Sequence, residues 1–282
     1  MGCVGMKLGG SRVVVTGASR GIGAELASRL AQKGARVALV ARSSNAIAKL
    51  AADLGGDAYP ADLADAATIE PLVREIEADG PIDVLVNNAG VDLTGAFTDL
   101  EPERIQELIA INLVAPMLLS RAVIPAMRVR GRGHIMNVSS LAGTNALPGL
   151  APYSTSKAGL SHFTAALRAE CKGTGITTTL AEIGPVESTM MQSLHGHPPT
   201  ERALVRLTRL HVAVELDMDA VVEALVDGIE RSRRHVRLPR RNALFPILTE
   251  APRRITELLL TGVRAHHDRA QDDRAHHDRE VT

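Results

Sequence analysis

The 282-residue chain is 45% hydrophobic and 23% charged, with 32 Lys plus Arg against 32 Asp plus Glu. This length suffices for one well-buried core, and formal neutrality removes any whole-chain argument for nucleic acid or an acidic substrate. Aromatics make up only 2%, with no Trp, so the core must be built from Ala, Val, Leu and Ile, and base-stacking platforms are not expected.

Two cysteines, Cys3 and Cys171, argue for a reducing, cytoplasmic setting without a disulfide framework. Nothing before Ser11 has the length or hydrophobicity of a secretory signal. No run of about 18 apolar residues is expected to span a bilayer. Met1-Gly2-Cys3 is a poor acylation site because Met6 stands where Ser or Thr is needed.

Arg12 to Thr16 (RVVVT) is a β-branched run bounded by glycines and predicts a buried strand. The turn Thr16-Gly17-Ala18-Ser19-Arg20-Gly21-Ile22-Gly23 follows, and then a helix over Ala24 to Lys33. A strand, a glycine turn and a helix in that order suit phosphate binding. The glycines let backbone approach a pyrophosphate, and the helix N-terminus offers free N–H groups with a partial positive charge. The spacing is GxxxGxG, not GxGxxG.

A second strand, Ala35 to Ala41, ends in Arg42. An acid at that strand end would bond the ribose 2′-hydroxyl of NAD, whereas an arginine suits the 2′-phosphate of NADP. Ala41 holds the acid position, with Arg42 next and Arg20 in the turn, so NADP(H) is favoured over NAD(H).

Alternation continues through a helix over 43–54, a strand near Ala58 to Ala61 ending at Asp62-Leu63, a helix over 65–79 and a strand from Ile82 to Asn87. Strands separated by helices of this length predict a doubly wound, parallel, Rossmann-like α/β sheet of about seven strands, in one domain, with helices on both faces. Ligands bind at the carboxyl ends of such strands, where Gly17, Asp62 and Asn88 fall.

A helix over 100–127 carries Asn112, with Pro116 and Pro125 expected to bend or end it. The strand His134 to Val138 leads to Ser139-Ser140. Tyr153 and Lys157 are four residues apart, so a helix places the ammonium beside the phenol. A cation there would lower the phenol's pKa of about 10 toward the range of an acid-base catalyst.

TGxxxGxG, Asn87-Asn88-Ala89-Gly90, Ser140 and YxxxK in this order resemble the short-chain dehydrogenase/reductase family over roughly Lys7 to Leu238. The resemblance implies a nicotinamide-dependent oxidoreductase with Asn112, Ser140, Tyr153 and Lys157 as its catalytic tetrad. Counting back thirteen residues from Tyr153 selects Ser140 over Ser139. The cofactor would contact Gly17, Ser19, Arg20, Gly21, Ile22, Gly23, Arg42, Asp62, Leu63, Asn88, Ala89 and Gly90. Tyr153, Lys157, Val186 and Thr189 would meet its nicotinamide end. Tyr153 would exchange the proton, Ser140 would hold the substrate oxygen, Lys157 would bond the ribose and depress the tyrosine pKa, and Asn112 would anchor a water relay. Gly184-Pro185 reverses the Pro-Gly usual before that threonine, which leaves the approach of Val186 to the nicotinamide open.

The strand Ile176 to Ile183 precedes a substrate flap over 186–216. There Met190, Met191 and Leu194, opposite Leu141, Leu147 and Leu150, suggest an apolar wall and a hydrophobic ketone, alcohol or acyl substrate. His195 and His197 are expected to be solvated loop residues, and no metal site is expected. A helix over 218–230 and a strand from His235 to Leu238 close the catalytic domain, 7–241. Arg231, Arg233, Arg234, Arg237, Arg240 and Arg241 cluster there, a solvated helix end or, alternatively, a contact for anionic lipid or an acidic carrier. Residues 242–263 read as a helical extension, and 264–282, with its repeated His-His-Asp, as a disordered tail. Relatives' habits imply a homodimer or homotetramer. The alternatives are an NAD-dependent alcohol dehydrogenase and a non-catalytic dinucleotide sensor on the same fold.

Overall fold

The apolar runs form strands, the central ones buried on both faces and the two edge strands only partly buried. They are β1 (Arg12–Thr16), β2 (Arg36–Ala41), β3 (Asp57–Pro60), β4 (Val84–Asn87), β5 (Gly133–Ser140), β6 (Ile176–Ile183) and β7 (His235–Leu238). The computed structural model describes residues 5–186, 197–209, 214–239, 255 and 259. Within it the strands form one sheet in the order β3-β2-β1-β4-β5-β6-β7, every pair parallel. The order reverses between β1 and β4. In a doubly wound sheet this is where a ligand crevice opens, because the connections on either side leave toward opposite faces.

Alternating side chains send the two halves of each strand to different cores. Val13 and Val15 of β1 join Leu26 and Leu30 of α1 (Gly21–Gln32) and Ile47 of α2 (Ser44–Leu54). Val14 faces the other way, onto Leu72 and Ile76 of α3 (Ile69–Ala78). The expected single-domain, doubly wound α/β architecture is therefore present.

The helix carrying Asn112 departs from expectation. It runs as α4 (Pro102–Ile109), a π-helical segment over Ala110–Val114 and α5 (Ala115–Arg130), passing through Pro125 without stopping. Pro116 has no N–H to give the carbonyl of Asn112, and its ring crowds that carbonyl, so the turn upstream widens. The wide turn is centred on Asn112. The stretch Pro102–Arg130 is also long and apolar enough to cross a bilayer, contrary to the expectation of no such run. Its apolar side is taken up by the sheet, however: Ala115, Leu119, Val123 and Met127 all lie in the core.

Three helices complete the described fold: α6 (Ala151–Glu170), α7 (Pro198–Arg209) and α8 (Met218–Glu230). Ala203 and Leu207 of α7 pack with Leu147 and Leu259. Of the arginine cluster, Arg231 and Arg233 pair with Asp227, and Arg237 pairs with the buried Glu182, so much of its charge is neutralised within the chain. Thr189, Met190, Met191, Leu194, His195, Arg240, Arg241 and the tail 264–282 lie outside the described residues.

Candidate active site

The glycine turn is built against the end of β4. Thr16 Oγ1 donates to the Val86 carbonyl and accepts the N–H groups of Asn88 and Ala89, both at 3.0 Å. Asn88 Nδ2 donates to the Thr16 carbonyl at 3.0 Å, so its amide braces the turn. A Cβ on Gly23 would fall 2.3 Å from the Gly17 carbonyl oxygen, and one on Gly17 would fall 2.8 Å from Ala89 Cα. Neither position tolerates a side chain. Gly21 differs: its φ is +58° and the space where a Cβ would stand is open.

Helix α1 begins there, at Gly21, three residues before the expected start. Its first turn contains no acidic residue, and its N-cap, Arg20, makes no side-chain capping bond. A bare backbone face at a helix N-terminus, with an exposed arginine beside it, fits the pyrophosphate of a dinucleotide.

At the end of β2 stands Ala41, followed by Arg42, which is 58% exposed and pairs with Glu107 Oε1 at 3.5 Å. Asp62 is exposed and its carboxylate accepts the Ala64 N–H at 3.1 Å, while the Leu63 side chain is buried in the core. Ser19 and Ile22 are half-buried in the turn. Val186 is buried and bridges to Leu216, whose N–H reaches the Pro185 carbonyl at 2.8 Å.

At the other end of the crevice, the wide helical turn aims Asn112 at the backbone after Asn88-Ala89-Gly90. Its Oδ1 accepts the Val91 N–H, and its Nδ2 donates to the Val91 carbonyl, both at 2.8 Å. Nδ2 also donates to Ser156 Oγ at 3.1 Å, and Ser156 Oγ donates to the Tyr153 carbonyl at 2.7 Å. Asn112 and Ser156 are both fully buried. Gly90 is the point of closest approach, where a Cβ would lie 3.3 Å from Asn112 Oδ1 and 3.4 Å from Lys157 Nζ. Asn112, Gly90, Ser156 and Lys157 thus form one packed polar group. Val91 and Ser156 are positioning residues that the motif spacing did not single out.

The two serines at the end of β5 separate cleanly. Ser139 is buried, its hydroxyl donating to the Lys157 carbonyl at 2.9 Å and meeting Ser161 Oγ at 3.0 Å, which ties β5 to α6. Ser140 hydrogen-bonds the Tyr153 phenol and accepts the Ala142 N–H at 3.1 Å. Strand alternation turns one hydroxyl into the core and the other into the crevice.

Lys157 Nζ lies 5.9 Å from the Tyr153 ring centroid and donates to the Val138 carbonyl at 3.0 Å. The expected depression of the tyrosine is not what the protein alone produces. Burial pushes Tyr153 up to about 12; the Ser140 hydrogen bond pulls against this, and the charge of Asp92 adds to it. Burial also draws Lys157 down to about 8. Desolvation disfavours whichever form of each group is charged, and it is the largest cause of both shifts. Asp92, two residues past Gly90, carries no motif, and folding brings its charge near enough to act on the phenol.

His197, expected to be a free loop residue, is half-buried, and its Nδ1 meets Thr200 Oγ1 at 2.8 Å. No cluster of metal-binding side chains occurs among the described residues.

This geometry has close counterparts. The family model described as short chain dehydrogenase matches residues 11–198. The ketoacyl reductase HetN of Nostoc sp. is 40% identical over 190 residues, 65% of this chain and 66% of its own length. The 3-oxoacyl-(acyl-carrier-protein) reductase FabG of Escherichia coli is 36% identical over 192 residues, covering 67% of this chain and 79% of FabG. Among solved structures, a metagenomic short-chain oxidoreductase in complex with NADP superposes with a TM-score of 0.67 at 32% identity, over 83% of this chain and 98% of that one. The chain belongs to the short-chain dehydrogenase family and is an NAD(P)-dependent oxidoreductase acting on carbonyl or alcohol groups.

Proposed function

We propose that the protein is an NADP(H)-dependent carbonyl reductase whose substrate is an apolar ketone of the β-ketoacyl type. The observation that carries this is the Tyr153 phenol, hydrogen-bonded to Ser140 and with the Lys157 ammonium 5.9 Å from its ring centroid. The phenol is protonated at neutral pH and can therefore give a proton to a carbonyl oxygen.

NADPH, when bound, supplies the hydride. The residues do the rest. Ser140 donates a hydrogen bond to the substrate oxygen and fixes it beside Tyr153. Tyr153 delivers its proton to that oxygen as negative charge develops there. Lys157, anchored on the Val138 carbonyl, places a cation where it stabilises the resulting phenolate. Asn112 clamps Val91 and, through Ser156, the first turn of α6, so the donor end of the crevice is rigid before substrate arrives.

Cofactor choice rests on Ala41 and Arg42. No carboxylate stands at the end of β2, and the exposed guanidinium of Arg42 is loosely enough held to grip a 2′-phosphate. The NADP in the metagenomic relative and the ketoacyl substrates in the names of HetN and FabG point the same way. Apolar Leu141, Leu147 and Leu150 along the β5–α6 loop suit an alkyl chain. Val114 and Met117, exposed on the outer face of the Asn112 helix, suit association into a homodimer or homotetramer in the cytoplasm.

Fluorescence titration with NADPH and NADH, followed by a carbonyl panel read by cofactor absorbance, tests this. Tighter NADPH binding with turnover of alkyl β-keto esters is expected. Equal or tighter NADH binding would remove the role given to Arg42, and binding without turnover of any carbonyl would contradict the reductase.

A further inference from the structure

Thr200 is the third residue of helix α7, after Pro198 and Pro199, and it is fully buried. A buried hydroxyl needs partners, and this one has two. It donates its only hydrogen to the Pro148 carbonyl at 2.7 Å, a group that can only accept. Toward His197 Nδ1, at 2.8 Å, it therefore acts as acceptor, which places the imidazole hydrogen on Nδ1. The chain from His197 through Thr200 to Pro148 joins a helix that follows β6 to the loop that follows β5, 52 residues away in sequence.

The contact is built from both sides. Gly149 has φ of +80°, and a Cβ there would stand 2.3 Å from Thr200 Oγ1 and 2.5 Å from His197 Nδ1, so only glycine lets the loop pass beneath the pair. The Gly149 carbonyl accepts the Gly95 N–H at 3.1 Å, bringing in the loop that follows β4, the same loop that Asn112 clamps at Val91. One turn further along α7, Ala203 and Leu207 pack on Leu147. Three segments thus meet at Pro148-Gly149, four residues before Tyr153 in sequence.

We propose that Thr200 and His197 are positioning residues that latch α7 onto Pro148-Gly149 and set the substrate wall above Tyr153, without touching the reacting atoms. Releasing the latch frees α7 and the β5–α6 loop together, because each is the other's partner. It weakens the hold on a long substrate while leaving the proton-transfer group intact. The latch follows from the geometry alone; its kinetic consequence rests on the carbonyl-reductase function proposed above.

Hydrogen exchange on the full-length chain tests the latch. Thr200→Val keeps the shape and removes the hydroxyl. Peptides covering 145–151 and 198–209 are expected to exchange at least about fivefold faster, the scale of one lost buried hydrogen bond, with β1 unchanged. Thr200→Ser restores wild-type exchange to within about twofold, and His197→Ala, at a half-exposed position, shows the same pattern at about two- to threefold. Unchanged exchange in either peptide, or Thr200→Ser as impaired as Thr200→Val, overturns the proposal. With NADPH and a medium-chain β-keto ester, Thr200→Val is expected to raise KM about fivefold with kcat within about twofold. A fall in kcat at unchanged KM also overturns it. Absence of turnover by the wild-type chain counts against the reductase function only, and the exchange comparison still decides the latch.

Discussion

The two ends of the sheet use polar side chains in opposite ways. At the amino ends of the strands, Arg12 is buried at 3% exposure. Its guanidinium donates to the Asp79 carbonyl at 2.7 Å, to Asp57 Oδ2 at 3.0 Å and to Tyr59 Oη at 2.6 Å, and Tyr59 passes its own hydrogen to Asp79 Oδ2 at 2.5 Å. The Arg12 N–H bonds Asp83 Oδ2 at 3.0 Å. This network ties the starts of β1, β3 and β4 to the end of α3. At the carboxyl ends, Arg20 and Arg42 stay exposed, Gly21 leaves its face bare, and Tyr153 offers a phenol to whatever enters. One end spends its polar groups on the fold. The other keeps them for a ligand, so stability and activity should respond separately to substitution.

The largest loss of stability is therefore expected at the amino end. Arg12→Ala removes the hub and its buried aliphatic stem and should destabilise the chain by roughly 4 kcal/mol in denaturant unfolding, with cofactor affinity per folded molecule unchanged. A matching loss of affinity would show that the two ends are not separable.

His134, fully buried at the start of β5 with Nδ1 on Thr177 Oγ1, comes next. Burial lowers it from 6.5 to about 4, so the folded chain keeps it neutral. Between those values the unfolded chain binds the extra proton, and stability falls as pH drops from about 6.5 toward about 4, by up to about 3 kcal/mol. His134→Gln should remove that share of the acid loss. His235, also drawn to about 4 by burial and by Arg237, Arg168 and Arg234, keeps its own share.

At the carboxyl end, Arg42→Ala should leave unfolding unchanged and weaken NADPH about tenfold, with NADH unaffected, read by fluorescence titration. Asp92→Asn should have the smallest effect. Removing a charge that holds Tyr153 up favours the phenolate, so alcohol oxidation at pH 9 should rise, by less than about tenfold.

Much of the amino-to-carboxyl polarity was legible in the chain. β-branched runs such as Arg12 to Thr16 specify buried strands by composition alone, and the glycine turn, Ser140 and the Tyr153–Lys157 spacing declare themselves locally. What escaped depends on contacts between distant segments. Pro116 announces a disturbed helix, but only the carbonyl four residues back shows that the disturbance widens the turn around Asn112 instead of ending the helix. His197 looked like a loop residue because its partners, Thr200 and the Pro148-Gly149 bend, are joined only by folding. The Tyr153–Lys157 pair has the spacing of a lowered phenol, yet its shift depends on burial, which spacing does not encode. Asp92 carries no motif, and it matters because folding brings its charge within reach of Tyr153.

The most direct measurement is steady-state NADPH consumption with an alkyl β-keto ester by the wild-type chain and by Tyr153→Phe, with the melting temperature of each recorded alongside. Turnover by the wild type, a loss of about 10²- to 10⁴-fold in the variant and melting temperatures that coincide are the expected result. Tyr153→Phe that retains most of the turnover, or that loses it only by unfolding, would contradict both the proton donor and the division of the sheet into a structural end and a chemical one.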